Sequence, residues 1–257
     1  MECQALVIGE RNDGSPVCGF PFLDCSGGEG TGLPAFAQLD FTKATIAYSN
    51  LGGAGPDIGR PENIRLNNVG KNTDGTPLDL IITSRGPYTA NNVRLNGISG
   101  AFGQINVKIG TSVDLTMQFY RSNTDELATL DYAMVSFYDF DKGGTNWEVL
   151  TMRNYQTYTL TADTEIIPEG TVESSTFTAS VFGTGSDNPR DPRNLTPLQG
   201  RRSVAFTFKD ASSIDLTFSA QGTGNGGRNF LFAGAATNLT ECESPPPMPP
   251  DMPLPPA

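Results

Sequence analysis

The sequence predicts an all-β fold, a two-sheet antiparallel β-sandwich of jelly-roll type. Three observations predict it. The composition, with 29 Gly, 19 Pro and only 18% charged residues, suits short strands and tight turns better than helices. Apolar residues recur at every second position. In the clearest case Val113, Leu115, Met117 and Phe119 share one face while Asp114, Thr116 and Gln118 share the other, the pattern of a half-buried antiparallel strand. No i, i+3, i+4 pattern runs longer than a turn or two. At 257 residues one large sandwich can use the whole chain. A propeller would need a blade repeat of roughly 40–50 residues, and no such self-similarity is present.

The elements follow in order. Residues 1–34 read as an irregular N-terminal arm with three cysteines, the apolar run Ala5-Leu6-Val7-Ile8 and a glycine-rich loop. The sandwich domain occupies residues 35–242. Its strands are expected at 36–41, 44–48, 64–66 and 78–83. A turn at Lys71-Asn72-Thr73-Asp74-Gly75 separates the last two, because Asn and Gly tolerate positive φ. Further strands are expected at 104–109, 113–120, 128–141, 148–153, 158–162 and 176–182. After a polar loop, Val204, Phe206 and Phe208 share a face, then Ile214, Leu216 and Phe218, then Arg228 to Phe232 form a last strand. That makes some 11 to 13 strands, the spacing of a sandwich. Residues 243–257 form a tail in which eight of the thirteen residues from Pro245 onward are proline. Such a run takes an extended polyproline II form or stays disordered.

Charge and residue types bound the chemistry. The formal net charge is −11 with a pI near 4.4, which argues against a nucleic-acid partner and against anionic membranes. No window approaches a membrane span. The chain has no histidine, so Ser-His and Cys-His pairs and the usual zinc ligand are missing. The E-x-D-x-x-E strand signature of jelly-roll glucanases is also missing, and the reading is that this is not an enzyme.

Cys3, Cys18, Cys25 and Cys242 form no C-x-x-C motif. Their even number and their position at the chain ends predict two disulfides, with three pairings open, in an oxidising compartment; buried free thiols are the alternative. Sequons at Asn194 and Asn238 agree with secretion to the extracellular space or cell surface. No signal peptide is visible from Met1, which fits either a removed signal or a segment of a longer chain.

The stretch Val135 to Glu148 gathers oxygen ligands. Val135 and Phe137 lie on one strand face, and Asp139 and Asp141 are expected to continue it to the sheet rim. There the chain turns through Gly143-Gly144, and Asn146 and Glu148 add oxygens. Asp139, Asp141, Asn146 and Glu148 are candidate ligands for calcium, which takes hard oxygens in flexible geometry. A solvated acidic turn is the alternative. Trp147, the only tryptophan, is a candidate for stacking on a glycan, against plain edge packing. Asp187 and Asp191 sit beside Arg190 and Arg193, an arrangement for local ion pairs or an Asx turn. The doublet Arg201-Arg202 is expected to pair with nearby carboxylates. The stretch Gly222 to Gly227 matches G-x-G-x-x-G, but a strand rather than a helix follows it, so a hairpin loop is expected in place of a dinucleotide site.

Several stretches together resemble secreted β-sandwich modules of algal and protist surface glycoproteins. They are Gly52 to Asp57, Ile64 to Gly70, Phe137-Tyr138-Asp139-Phe140-Asp141, Arg202 to Phe206 and Gly226 to Phe232. The tail resembles hydroxyproline-rich, mastigoneme-like or fibril-like spacers. The resemblance implies a structural or adhesive role and no catalytic residues. It further implies hydroxylation and O-glycosylation at Pro245, Pro246, Pro247, Pro249 and Pro250. The sequence thus reads as a non-enzymatic extracellular structural glycoprotein, self-associating into a surface fibre or matrix through its terminal arms. The alternative is a calcium-dependent, carbohydrate-binding, lectin-like adhesion module with glycan partners.

Overall fold

Two antiparallel sheets face each other across an apolar core in the computed structural model, which describes residues 36–234 and the backbone of residues 7–10 and 16–18. In the arm, β1 (Val7–Glu10) pairs with β2 (Pro16–Cys18). The cysteine side chains, Asn238 and the proline tail lie outside the described residues.

The domain begins with β3 (Gln38–Leu39), β4 (Thr45–Ser49), β5 (Asn63–Lys71) and β6 (Pro77–Ser84). The turn expected at 71–75 joins β5 to β6, with Gly75 at φ 83° donating its N–H to the Asn72 carbonyl at 2.9 Å. Then come β7 (Gly97–Ser99), β8 (Phe102–Lys108), β9 (Thr111–Arg121), β10 (Leu130–Tyr138), β11 (Asn146–Met152) and β12 (Thr157–Thr159). A hairpin of β13 (Ile166–Thr171) and β14 (Ser174–Ala179) follows, then the single helical turn α1 (Pro197–Arg201), capped by Thr196. The last strands are β15 (Val204–Ala211), β16 (Ser213–Gly222) and β17 (Gly227–Gly234).

The six-stranded sheet has the order β12-β15-β10-β17-β8-β7. The other runs β13-β14-β11-β16-β9-β6-β5-β3, with β4 also paired to β5. From β8 onward, apart from the β13–β14 hairpin, each connection crosses from one sheet to the other. Sequence neighbours therefore face each other across the core, as a sandwich with long-range pairing requires. One expectation is corrected by this topology. The loop from Gly222 to Gly227 is not a hairpin, because β16 and β17 belong to different sheets. It is an arch between sheets. Gly222 has φ 92°, and a Cβ there would collide with the Thr145 carbonyl.

Phe137 sits at the centre of the core. Its ring lies 5.9 Å from Phe206, 5.8 Å from Phe218 and 6.3 Å from Phe232, so residues of both sheets meet on it. Edge-to-face contacts such as Phe177 on Phe206, at 4.9 Å and 89°, fill the space between. Strand β9 carries the predicted alternation, with Val113, Leu115, Met117 and Phe119 all buried.

Candidate functional site

The acidic stretch behaves differently from its expectation. Strand β10 ends at Tyr138, and Asp139 adopts φ 68°, a left-handed conformation that ends strand pairing. Asp139 and Asp141 therefore do not continue the face of Val135 and Phe137 as one strand. The chain instead crosses to the other sheet. Phe140 donates its N–H to the Arg202 carbonyl at 3.0 Å, and Lys142 donates to the Val181 carbonyl at 2.9 Å. Lys142 forms bridges with Trp147 on one side and Phe182 on the other, so the segment wedges into the end of the gap between β11 and β14.

The carboxylates are not at a solvated rim either. Asp141 is 5% exposed and Glu148 4%. Arg228 lies between them: its Nη1 is 3.0 Å from Asp141 Oδ1, its Nη2 donates to the Asp141 carbonyl at 3.0 Å, and its Nε is 4.0 Å from Glu148 Oε1. Glu148 Oε2 also accepts the Asp141 N–H at 3.2 Å. Next to this group Arg202, itself buried, donates to Glu165 and Asp187 at 2.7 Å each and to the Phe182 carbonyl at 3.0 Å. Gly183 packs on Asp141 so closely that any Cβ would collide with its carboxylate. Asn146 does not join the group; its side chain lies against the glycine turn, near Gly143 and Gly224.

Burial sets the electrostatics. Desolvation, reinforced by the charges of Asp141 and Asp187, raises the Asp139 carboxyl to about 7 in spite of Arg228 and Arg202. Desolvation likewise raises Asp141 and takes Glu148 well above the usual carboxylate range, in each case against the pull of Arg228. A buried charge is costly unless paired, and here three acids share chiefly one guanidinium. The arrangement can hold protons near neutrality and can lock the end of the sandwich. Among the described residues no group of three or more His, Cys, Asp or Glu side chains is arranged to hold a metal ion.

The remaining sequence-predicted residues fall as follows. Asp191 pairs with Arg193 at 3.1 Å, the local ion pair expected. Asp187 instead serves Arg202 and also accepts the Thr184 N–H at 3.0 Å. Arg201 and Arg202 both reach Glu165, as expected of that doublet. Asn194 is exposed in the loop before α1. Trp147 is half-buried, packs on the core at its inner edge and carries the Lys142 ammonium 5.9 Å from its ring centroid.

Sequence reasoning does not find Arg228, Gly183 and Phe182 as site residues, and it gives Arg202 only a general pairing with nearby carboxylates. A signal for the two arginines was there. Arg228 precedes Phe230 and Phe232 at period two, and Arg202 precedes Val204, Phe206 and Phe208. Each places a cation where an inward-facing row begins. Antiparallel pairing of β10 with both β15 and β17 then brings those beginnings beside the end of β10, where the acids lie.

No protein-family model and no curated protein matches the chain. Solved structures with some similarity include the N-terminal domain of a Streptococcus gordonii adhesin, at 10% identity and TM-score 0.41, covering 77% of this chain and 60% of that one. Others are the glucan binding protein C of Streptococcus mutans, at 11% identity and TM-score 0.40, covering 73% and 62%, and the adhesin domain of PrgB from Enterococcus faecalis, at 7% identity and TM-score 0.37, covering 68% and 63%. The chain spans about three fifths of the length of these structures. At this level of similarity, nothing those proteins bind carries over to this chain.

Proposed function

We propose that this chain is a non-enzymatic module of an extracellular surface protein, acting in adhesion or in a fibre or matrix, with its terminal arms making contacts between units. The observation that carries the reading is the use made of the acidic stretch. Of the residues that the sequence singles out for chemistry, Asp141 and Glu148 are buried against Arg228, beside the pairs of Arg202 with Glu165 and Asp187, and together these brace the sandwich end. Catalysis by paired carboxylates needs two acids flanking a substrate cleft, whereas Asp141 and Glu148 face a guanidinium inside the protein. The chain's lack of histidine and the exposed sequon at Asn194 support the same reading. Contacts between units would use strand addition at a sheet edge or docking of the extended proline tail, with disulfides at Cys3, Cys18, Cys25 and Cys242 fixing the arms. Size-exclusion chromatography and electron microscopy of native glycosylated material test it. Ordered assemblies are expected, and monomers alone at high concentration would sink the assembly role.

One observation favours a second reading, the calcium-dependent, carbohydrate-binding module. Asp139, Asp141 and Glu148 outnumber the arginine they share, and a divalent cation would supply the missing charge. Binding there would have to displace Arg228. A thermal melt with calcium and with chelator tests it. A midpoint raised by calcium in the wild type and unmoved in an Asp139→Ala, Asp141→Ala variant supports the reading, and a flat response removes it.

A further inference from the structure

The brace has an outer side. Lateral partners in a sheet point to the same face, and Trp147 is flanked by Gln221 of β16 and by Lys142, which in turn is flanked by Phe182. Glu148 and Asp141, the next residues along, point inward. The row Gln221–Trp147–Lys142–Phe182 therefore lies on the outer side of the sheet, with Gln221 and Phe182 exposed and Lys142 and Trp147 half-buried, Trp147 also touching the core. Phe182 is 61% exposed, an unusual exposure for an aromatic ring held in a rigid frame. The frame is rigid because Arg202 binds the Phe182 carbonyl, while the Lys142 N–H and carbonyl bind Val181 and Gly183 on either side.

We propose that this row is a binding platform for a carboxylated saccharide, with Trp147 and Phe182 stacking on sugar rings and Lys142 pairing with the acid group. Three features specify that class. Trp147 and Phe182 stand two strand positions apart, roughly 10 Å at the usual strand separation, and present rings suited to the apolar C–H faces of pyranoses. Lys142 is the strand position between them, its ammonium lies 5.9 Å from the Trp147 ring centroid and it forms no ion pair among the described residues, so a carboxylate would complete it. The surrounding outer face offers side-chain amide and hydroxyl groups at Gln221 and Thr178, suited to sugar hydroxyls, rather than an apolar groove that would take peptide side chains. The proposal rests on the adhesion reading and gives it a ligand class.

Trp147 is the sole tryptophan, so its emission reports directly on the platform. The experiment titrates a short oligogalacturonate, a cello-oligosaccharide of equal length and polyglutamate, in about 0.15 M salt to screen the net negative charge. A saturable change in emission is expected with oligogalacturonate, with affinity at least about tenfold weaker for the neutral sugar. Phe182→Ala, at an exposed position, should keep the fold and weaken binding by roughly tenfold. Lys142→Gln should abolish the preference for the acidic sugar. No saturable change, or binding unaltered in Phe182→Ala, overturns the proposal. Equal binding of polyglutamate overturns it in favour of an acidic peptide. Failure here with native assemblies still formed removes the platform alone and leaves the surface-module reading standing.

Discussion

Replacing Asp139, a half-buried acid, with Asn should stabilise the protein at neutral pH. Asn suits the backbone at φ 68°, because Asn adopts left-handed conformations at low cost, so the substitution removes charge and little else. Burial and the neighbouring Asp141 and Asp187 raise this carboxyl from 3.8 to about 7. The sign follows from proton counting. Below about pH 4 both folded and unfolded chains hold the proton, and the group contributes nothing to pH dependence. Between about pH 4 and pH 7 the folded chain keeps a proton that the unfolded chain has lost, so stability falls as pH rises. Above about pH 7 the full cost of ionising Asp139 in the fold is present, roughly 4 kcal/mol at 1.36 kcal/mol per pH unit. Denaturant unfolding of wild type and Asp139→Asn, followed by Trp147 emission from about pH 4 to pH 8, measures this directly. The variant's advantage should grow from near zero to several kcal/mol over that range. Parallel pH profiles, or a variant less stable at about pH 8, would refute the reasoning.

Other consequences concern different parts of the fold. Asp79, with its side chain 2% exposed, pairs with Arg65 and accepts from the Asn68 N–H and the Ser122 hydroxyl. Asp79→Ala should cost about 1–3 kcal/mol in a denaturant melt by leaving the Asn68 and Ser122 donors without their acceptor, while Arg65 keeps Asp125 and the Thr124 carbonyl. Burial pushes the Asp79 carboxyl up, but these bonds outweigh it and hold the group below its ordinary value. Its contribution is therefore present above about pH 4 and lost as pH falls further, opposite in sign to that of Asp139. Gly183→Ala should destabilise by roughly 1–3 kcal/mol through the clash with the Asp141 carboxylate, and a matching loss when Arg202→Met is made instead would link both to one brace. Tyr88, buried and bonded to Asn96 and to the Asn106 carbonyl, is raised to about 12 by desolvation. Burial raises Tyr138 and Tyr155 as well, so absorbance titration should find these tyrosines ionising after the exposed ones near pH 10.

The sheet-forming stretches were legible wherever one face is buried and the other wet. Strand β9 shows this, and so does the turn after β5. In the arm, β1 and β2 stand where residues 1–34 read as irregular, and two strands of the sandwich lack the pattern. Strand β7 is three residues long, and β13 reads Ile-Ile-Pro-Glu-Gly-Thr with all but Ile166 exposed. Both are sheet edges, where shortness, proline and charge limit unwanted pairing and also erase the alternation that marks a strand. The arch at Gly222 has the sequence of a hairpin because turn chemistry is local, whereas the choice of sheet is made by distant pairing. The acidic site was half legible. The sequence picks out the acids as one group, but period two places Asp139 and Asp141 on one face at a solvated rim, and neither the left-handed Asp139 nor the burial of Asp141 and Glu148 can be read from it. The partner cations lie 61 and 87 residues beyond Asp141, at Arg202 and Arg228. Only the antiparallel register of β10 with β15 and β17 brings them to the acids.

A double-mutant cycle between Asp141 and Arg228 bears most directly on the central claim, that the acidic stretch is an internal brace and not an open site. Unfolding free energies of wild type, Asp141→Asn, Arg228→Met and the double variant supply it, at about pH 7 and low calcium. The 3.0 Å pair inside the protein predicts a favourable coupling of about 2–3 kcal/mol. A coupling below about 0.5 kcal/mol would contradict the account.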